Sequence, residues 1–155
     1  MDELDLSILN ALRLDARKPF LELAKELGVA DATIHIRVRK MIEEGAIRRF
    51  ETVVDAEKLG FGITAFVEIK VNPGATVQAA SKLSQIDGVL EAHEIHGHCD
   101  ILLKVRVRNL VELRDKLVGE VRAIKEVVSS EAYPVLKVVK EEYSVPVTAQ
   151  QRASR

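Results

Sequence analysis

The chain of 155 residues lacks the features of several common protein classes. A single cysteine, Cys99, excludes an intramolecular disulfide framework and fits a reducing cytosol, so we expect a cytoplasmic protein. Tryptophan is absent and aromatic residues make up 4% of the chain, which argues against a base-stacking platform. No apolar run approaches the ~20 residues of a spanning helix, and the acidic start is no signal peptide. We therefore expect no membrane partner.

The net charge is close to zero, and motifs for catalysis are few. The net charge of −1 means that any affinity for nucleic acid must come from local clustering of basic residues. There is no phosphate-binding loop and no dinucleotide fingerprint, so no cofactor is predicted. Cys99 beside His98 is the only tempting nucleophilic pair, but neighbours on a turn seldom point at each other. We expect that the protein is not an enzyme.

Residues 1–50 have the apolar spacing of three helices, predicted at 2–15, 19–27 and 31–44. Pro19 suits the first position of the second helix, and Gly28 suits its left-handed end. A turn of about four residues that contains Gly28 then leads into the third helix, which is the layout of a helix-turn-helix.

The third helix should present a partly basic face to solvent. Placing it at 100° per residue around Ile34 leaves these candidate DNA-binding residues outside or on the flanks: Ala32, Thr33, His35, Ile36, Arg37, Arg39 and Lys40. In a major groove of double-stranded DNA, Arg39 and Lys40 could reach guanine edges or phosphates, and Ile36 a thymine methyl. A plain three-helix bundle with a solvated charged face remains the alternative.

From Ile47 the apolar period changes to that of strands. We predict a strand that begins at Ile47 and ends near Asp55, and we assign residues 51–60 to a connector strand and hinge between the two domains. Residues 61–146 then follow the order β-α-β-β-α-β, the ferredoxin-like motif. Pro134 in the last strand implies an edge position, a bulge or a break. Residues 147–155 are predicted to be a disordered tail. The fold class is thus α+β, a winged-helix-like helix-turn-helix domain joined to a ferredoxin-like domain.

The strands of this second half alternate strongly in polarity. The apolar positions are Val67, Ile69, Val71, Leu103, Val105 and Val107. Helices can cover a ferredoxin-like sheet on one side only, so we expect the other side to meet a second sheet in a homodimer.

Short motifs along nearly the whole chain resemble the Lrp/AsnC family of transcription regulators, also called leucine-responsive or feast-famine regulators. These motifs are Leu4-Asp5-x-x-Ile8-Leu9, Asp15-Ala16-Arg17, Glu22-Leu23-Ala24, Gly28-Val29, Thr33-Ile34-x-x-Arg37-Val38, Gly45-Ala46-Ile47, Val54-Asp55-x-x-x-Leu59-Gly60, Gly97-x-x-Asp100-Ile101-Leu102 and Val135-Leu136-x-x-x-Lys140. The resemblance implies a DNA-binding domain followed by a sensing domain, dimers that often assemble into octamers, and amino-acid effectors bound between dimers. Two departures are Ala30, where the family usually has a capping serine, and Ala132, where it tends to have a hydroxyl residue.

A histidine-rich turn maps onto the effector cleft that the resemblance implies. The candidate effector-binding residues are His96, Gly97, His98, Cys99, Asp100 and Ser130. Strand alternation would put His96 and His98 on one face, with Cys99 across the turn. A histidine would then face the effector's carboxylate and Asp100 its amine. A soft-metal site that includes His93 is a second interpretation, and incidental exposure a third.

The sequence leads to two alternative hypotheses about function. The first is a sequence-specific DNA-binding transcription regulator whose assembly or DNA affinity responds to a small effector, such as an amino acid. The alternative is a metal- or small-molecule-responsive assembly protein without specific DNA readout. A DNA-binding face loses affinity steeply as salt rises, whereas an assembly module shows no such slope.

Overall fold

The computed structural model describes residues 1–147, apart from the side chain of Lys116. The predicted tail therefore lies outside the described residues, except for Val147. The chain divides into two compact units. Unit 1 comprises Met1–Val53 with the described residues from Lys140 onward, and unit 2 is Val54–Val139. Within the described range, no helix is both long and apolar enough to cross a bilayer.

The described part of unit 1 contains three helices, α1 (Glu3–Leu14), α2 (Phe20–Leu27) and α3 (Asp31–Glu43). Their facing apolar residues form one core: Ile8, Leu12, Leu23, Ala24, Ile34, Val38, Met41 and Ile47. Pro19 immediately precedes α2 instead of being its first residue. Gly28 ends α2 at φ +67°, a left-handed conformation that costs glycine little. The predicted helix-turn-helix is confirmed.

The strand predicted from Ile47 to near Asp55 is wrong. Residues 44–62 contain no strand in the described chain. Ile47 instead packs into the helical core, and its amide donates to the carbonyl of Met41 at 3.0 Å. Val53 and Val54, which suggested a strand, are exposed. Their β propensity does not produce a strand, because among the described residues no neighbouring strand pairs with this segment.

By its contacts, the described C-terminal segment groups with unit 1. Residues 140–146 were assigned to the ferredoxin-like domain, but in the structure they cluster with the N-terminal helices. The side-chain amide of Asn10 on α1 donates to the carbonyl of Val147 at 2.8 Å. This hydrogen bond ties the end of the described chain to α1.

Unit 2 has the predicted order of elements. These are β1 (Ile63–Val71), α4 (Thr76–Leu83), β2 (Val89–Glu94), β3 (Ile101–Val107), α5 and β4 (Val127–Pro134). Helix α5 has a π-helical segment, Glu112–Leu117, followed by an α-helical one, Val118–Arg122. The strands form one antiparallel sheet in the order β2-β3-β1-β4. Pro134 is the last residue of an edge strand, where a missing N–H is tolerated.

One face of this sheet is buried under α4 and α5. The inward residues of β1 and β3 are fully or nearly fully buried with helix residues such as Leu83, Leu117 and Val121. The alternation that suggested burial by a partner is therefore satisfied within the chain itself. The opposite side, here called the open face, carries mixed side chains that include Phe66, Glu68, Leu102 and Lys104. The expected dimer stays a prediction.

Candidate functional site

The outer face of α3 is the first candidate site. Ala32, His35, Ile36, Arg39 and Lys40 are exposed, and Thr33 is half-buried. This pattern follows from the helical period, because Ile34, Val38 and Met41 point into the core on the other side. Ile36 is 66% exposed, so this face carries an apolar side chain among its polar ones.

The basic groups on this face differ in how far they are already paired. Arg39 has no hydrogen-bond or ion-pair partner among residues 1–147. Lys40 lies 3.7 Å from Glu44 in an exposed ion pair, which contributes little in water. His35 packs edge-to-face on Phe20 with ring centroids 4.8 Å apart. Arg39 is therefore the cation most available to a phosphate or a base edge.

Arg37 has a different environment from the one expected of a DNA contact. Its guanidinium donates to Asp2 at 2.6 Å and to Asp5 at 3.2 Å. Those two aspartates form a reciprocal capping box at the start of α1. The backbone hydrogen bond from Asp5, and then the Arg37 guanidinium, hold the pKa of Asp2 below its usual value. Arg37 thus joins α3 to α1, and its DNA contact stays a prediction.

The start of α3 is uncapped by any side chain. Ala30 occupies the N-cap position with extended backbone angles but makes no side-chain cap hydrogen bond. Asp31, the first residue of α3, has its carboxylate 3.7 Å from His35.

The sequence analysis missed Phe50 as part of this surface. Its exposed ring lines an open groove along α3. The same groove is lined by Phe20, His35, Ile36, Arg39 and Lys40. The sequence did not indicate that Phe50 lies beside α3, because the segment was expected to be a strand and its path depends on how the chain packs.

The turn between β2 and β3 is the second candidate site, and Asp100 anchors it. The Asp100 amide donates to the carbonyl of Ile69 at 2.9 Å, and its carboxylate accepts from the amide of Val71 at 2.9 Å. Both bonds join the turn to β1. The Asp100 carboxylate, which was expected to face an effector amine, already serves the backbone. His96 and Gly97 are exposed on the same turn.

His98 and Cys99 converge on a residue that the sequence analysis did not select. His98 Nε2 lies 2.7 Å from the Glu68 carboxylate, and the Cys99 thiol lies within 4.8 Å of both groups. Cys99 is therefore not across the turn from His98, as strand alternation had suggested. Burial raises the pKa of the Cys99 thiol above its usual value. Glu68 was missed because only the pairing of β1 with β3 brings it to this turn.

Tyr133 completes the polar cluster on the open face. Its hydroxyl donates to Glu68 at 3.3 Å. The carboxylates of Glu131 and Glu68, with some desolvation, raise the pKa of Tyr133 to about 12. Tyr133 therefore stays protonated and remains a hydrogen-bond donor at neutral pH.

Ser130 does not join the other predicted effector-binding residues. Its hydroxyl accepts from Arg122 Nε of α5 at 3.3 Å. Ser130 pairs with the inward-facing Ile69, whereas the next residue pairs with Glu68 on the open face. Because successive strand residues point to opposite faces, Ser130 and His98 lie on opposite sides of the sheet.

The chain combines a helix-turn-helix, whose second helix is exposed and partly basic, with a ferredoxin-like domain. This combination is typical of DNA-binding transcription regulators that have a separate ligand-binding domain. Two family models match: the AsnC-type helix-turn-helix domain over residues 1–42 and the Lrp/AsnC ligand binding domain over residues 64–145. The chain belongs to the Lrp/AsnC family of transcription regulators.

Similar proteins support this membership. The chain is 37% identical over 147 residues to the HTH-type transcriptional regulator FL11 of Pyrococcus furiosus, covering 95% of this chain and 97% of that protein. The structure of E. coli AsnC is 35% identical, with a TM-score of 0.86 over 92% of this chain and 96% of that one. A feast or famine regulatory protein from M. tuberculosis, complexed with L-methionine, shares the fold at 24% identity. Its TM-score is 0.86 over 94% of this chain and 98% of that one.

Proposed function

We propose that this protein binds specific sites on double-stranded DNA through the outer face of α3 and that a small effector alters its assembly or its DNA affinity. The observation that carries the proposal is Arg39, a partner-free cation among the described residues, beside exposed Ile36 on the second helix of a helix-turn-helix. Such a helix fits a major groove, where cations meet phosphates or guanine and apolar groups meet thymine methyls. The protein would act by binding alone, without catalysis, in the cytoplasm where it meets DNA.

An amino acid or a similar small molecule is the proposed effector. The M. tuberculosis relative in fold was solved with L-methionine, and the family model for residues 64–145 is that of a ligand-binding domain. On the β2–β3 turn, exposed His96 is the side chain proposed to meet an effector carboxylate, because His98 already lies 2.7 Å from the Glu68 carboxylate. Cys99 and Asp100 would support the turn from within, because one is buried and the other holds β1.

The proposed assembly unit is a homodimer, with higher assemblies such as an octamer built from it. The open face supports this, because Phe66 is 39% exposed there and Leu102 is only half-buried in a single chain. A two-fold dimer would read a pseudo-palindrome with half-sites about one DNA turn apart, or a multiple of that distance. An effector that binds one assembly state better would shift its population and with it the DNA affinity.

Selection of sites from a random DNA pool at near-physiological salt tests the proposal. We expect enrichment of a two-fold-symmetric site, and light scattering should show at least a dimer at micromolar concentration. No enrichment with or without a panel of amino acids, together with binding that does not weaken as salt rises, would contradict specific DNA readout. For the effector, His96→Ala should reduce amino-acid-induced thermal stabilisation, whereas His93→Ala, whose ring contacts Glu91, should not.

A further inference from the structure

Three side chains of different chemistry meet where the β2–β3 turn touches β1. The ligand-type atoms of Glu68, His98 and Cys99 all lie within 4.8 Å of one another. Glu68 comes from the middle of β1, while the other two are consecutive residues on the turn. This combination of carboxylate, imidazole and thiol lies outside the DNA-binding face.

The separations suit a tetrahedral metal ion. Zinc binds nitrogen and oxygen ligands at about 2.0–2.2 Å and thiolate sulfur at about 2.3 Å. Atoms at the corners of such a tetrahedron lie roughly 3.3–3.8 Å apart. The 2.7 Å contact between His98 and Glu68 would open by about 0.6 Å, and the separations from the Cys99 sulfur, which are at most 4.8 Å, would close to about 3.5 Å.

The backbone around the cluster is already held in place. The two hydrogen bonds of Asp100 tie the turn to Ile69 and Val71 on the strand that carries Glu68. Tyr133 donates to the Glu68 carboxylate and so orients it, as outer partners of ligating carboxylates commonly do. The cluster therefore lies on β1 and on a turn that is hydrogen-bonded to β1.

The mixture of ligand types selects the metal. Thiolate and imidazole together favour zinc over magnesium and calcium, which prefer oxygen ligands. We propose that Glu68, His98 and Cys99 bind one Zn²⁺ ion, with the fourth coordination position open to water. On binding, the Cys99 thiol loses its proton to solvent, and His98 coordinates as neutral imidazole. One thiolate and one carboxylate then balance the charge of the ion.

Cobalt substitution in the full-length protein tests this proposal. Chelator-treated protein is titrated with Co²⁺, which reports thiolate ligation by a near-ultraviolet charge-transfer band, and the Co²⁺ is then displaced with Zn²⁺. We expect one metal ion per chain and a band that is lost in Cys99→Ser. His98→Ala and Glu68→Gln should each weaken binding by about tenfold or more.

His93→Ala is the matched control, since His93 is exposed in the same stretch but contacts Glu91 outside the cluster. It should leave the band and the affinity unchanged. The proposal is overturned if no thiolate band forms, if the band survives in Cys99→Ser, or if His93→Ala weakens binding as much as His98→Ala. His98 is largely exposed, so its variant remains informative even if Cys99→Ser folds poorly. DNA binding by the metal-free protein tests the proposed function separately.

Discussion

Two arginines on α3, two residues apart, have opposite surroundings. Arg37 is held by Asp2 and Asp5 at the start of α1, whereas Arg39 has no partner among the described residues. Composition and spacing treat them alike, because both lie outside the apolar stripe of the helix. The distinction arises from the packing of α1 beside α3, which brings the capping aspartates within reach of only one of them.

Replacing Arg39 should weaken DNA binding without unfolding the protein. Arg39→Ala removes one cation from the proposed reading face, so we expect a loss of about tenfold or more in affinity for a selected site. The slope of log affinity against log salt should fall by about one. Arg114→Ala is the control, since this exposed arginine pairs with Asp115 on α5. Equal losses for both variants, measured by fluorescence anisotropy, would rule out this role for Arg39.

The Asp2–Arg37 contact should make stability depend on pH in the acid range. The pKa of Asp2 is lowered in the folded state, so its charge stabilises the fold above the usual aspartate pKa. That contribution is lost as pH falls through the lowered value. Asp2→Asn keeps a capping oxygen but removes the charge, so it should be less stable than the parent at neutral pH.

Chemical denaturation across pH measures the difference in free energy of unfolding between the parent protein and Asp2→Asn. This gap should narrow as the pH becomes acid. The gap should also be smaller in an Arg37→Ala background, because the charge then lacks its partner. A gap that is equal at neutral and acid pH would contradict the assignment.

At the scale of elements, two glycines with positive φ differ in how much space surrounds their Cα atoms. Gly28 closes α2 at φ +67° with no atom within 4 Å of an added Cβ. Gly88 precedes β2 at φ +93°, and a Cβ there would lie 3.0 Å from the carbonyl oxygen of Arg106. The first position therefore needs glycine only for its backbone angle, and the second for space as well.

Alanine substitutions at these positions should separate the cost of the left-handed backbone angle from the cost of a close contact with the added Cβ. Gly28→Ala should lower the free energy of unfolding by about 1–2 kcal/mol, the cost of a left-handed alanine. Gly88→Ala should cost more, because the backbone carbonyl of Arg106 must also shift. Gly119→Ala, inside α5 with open space around it, should be neutral or stabilising. Denaturant titrations that rank Gly28→Ala above Gly88→Ala in cost would contradict the close-approach argument.

At the scale of the whole molecule, residues 1–147 form two hydrophobic cores that share no residue. One lies among the three helices and contains Ile34, and the other lies between sheet and helices and contains Leu103. Each core buries its own apolar residues, so each unit has its own source of cooperativity.

Core truncations should therefore act on separate unfolding events. Ile34→Ala and Leu103→Ala each remove a fully buried side chain and should each cost about 2–5 kcal/mol. We expect differential scanning calorimetry to resolve two transitions, with Ile34→Ala lowering one and Leu103→Ala the other. A single transition lowered equally by both variants would show that the units unfold as one.

Local chemistry allowed much of this architecture to be predicted from the sequence. The helical period, the left-handed Gly28 and the change to alternating strands each depend on near neighbours along the chain. They yielded the helix-turn-helix, the ferredoxin-like order and the outer face of α3. The strand at Ile47 was wrong because a strand requires a partner, and no residue pattern within the segment indicates whether one is present.

Tertiary structure alone decided which distant side chains meet. The pairing of β1 with β3 brings Glu68 to His98 and Cys99, and the pairing of β4 places Ser130 on the other side of the sheet. Helix packing likewise gives Arg37 to the aspartates of α1 and leaves Arg39 available. Such contacts depend on register and packing across 30 residues or more, which local propensities do not encode.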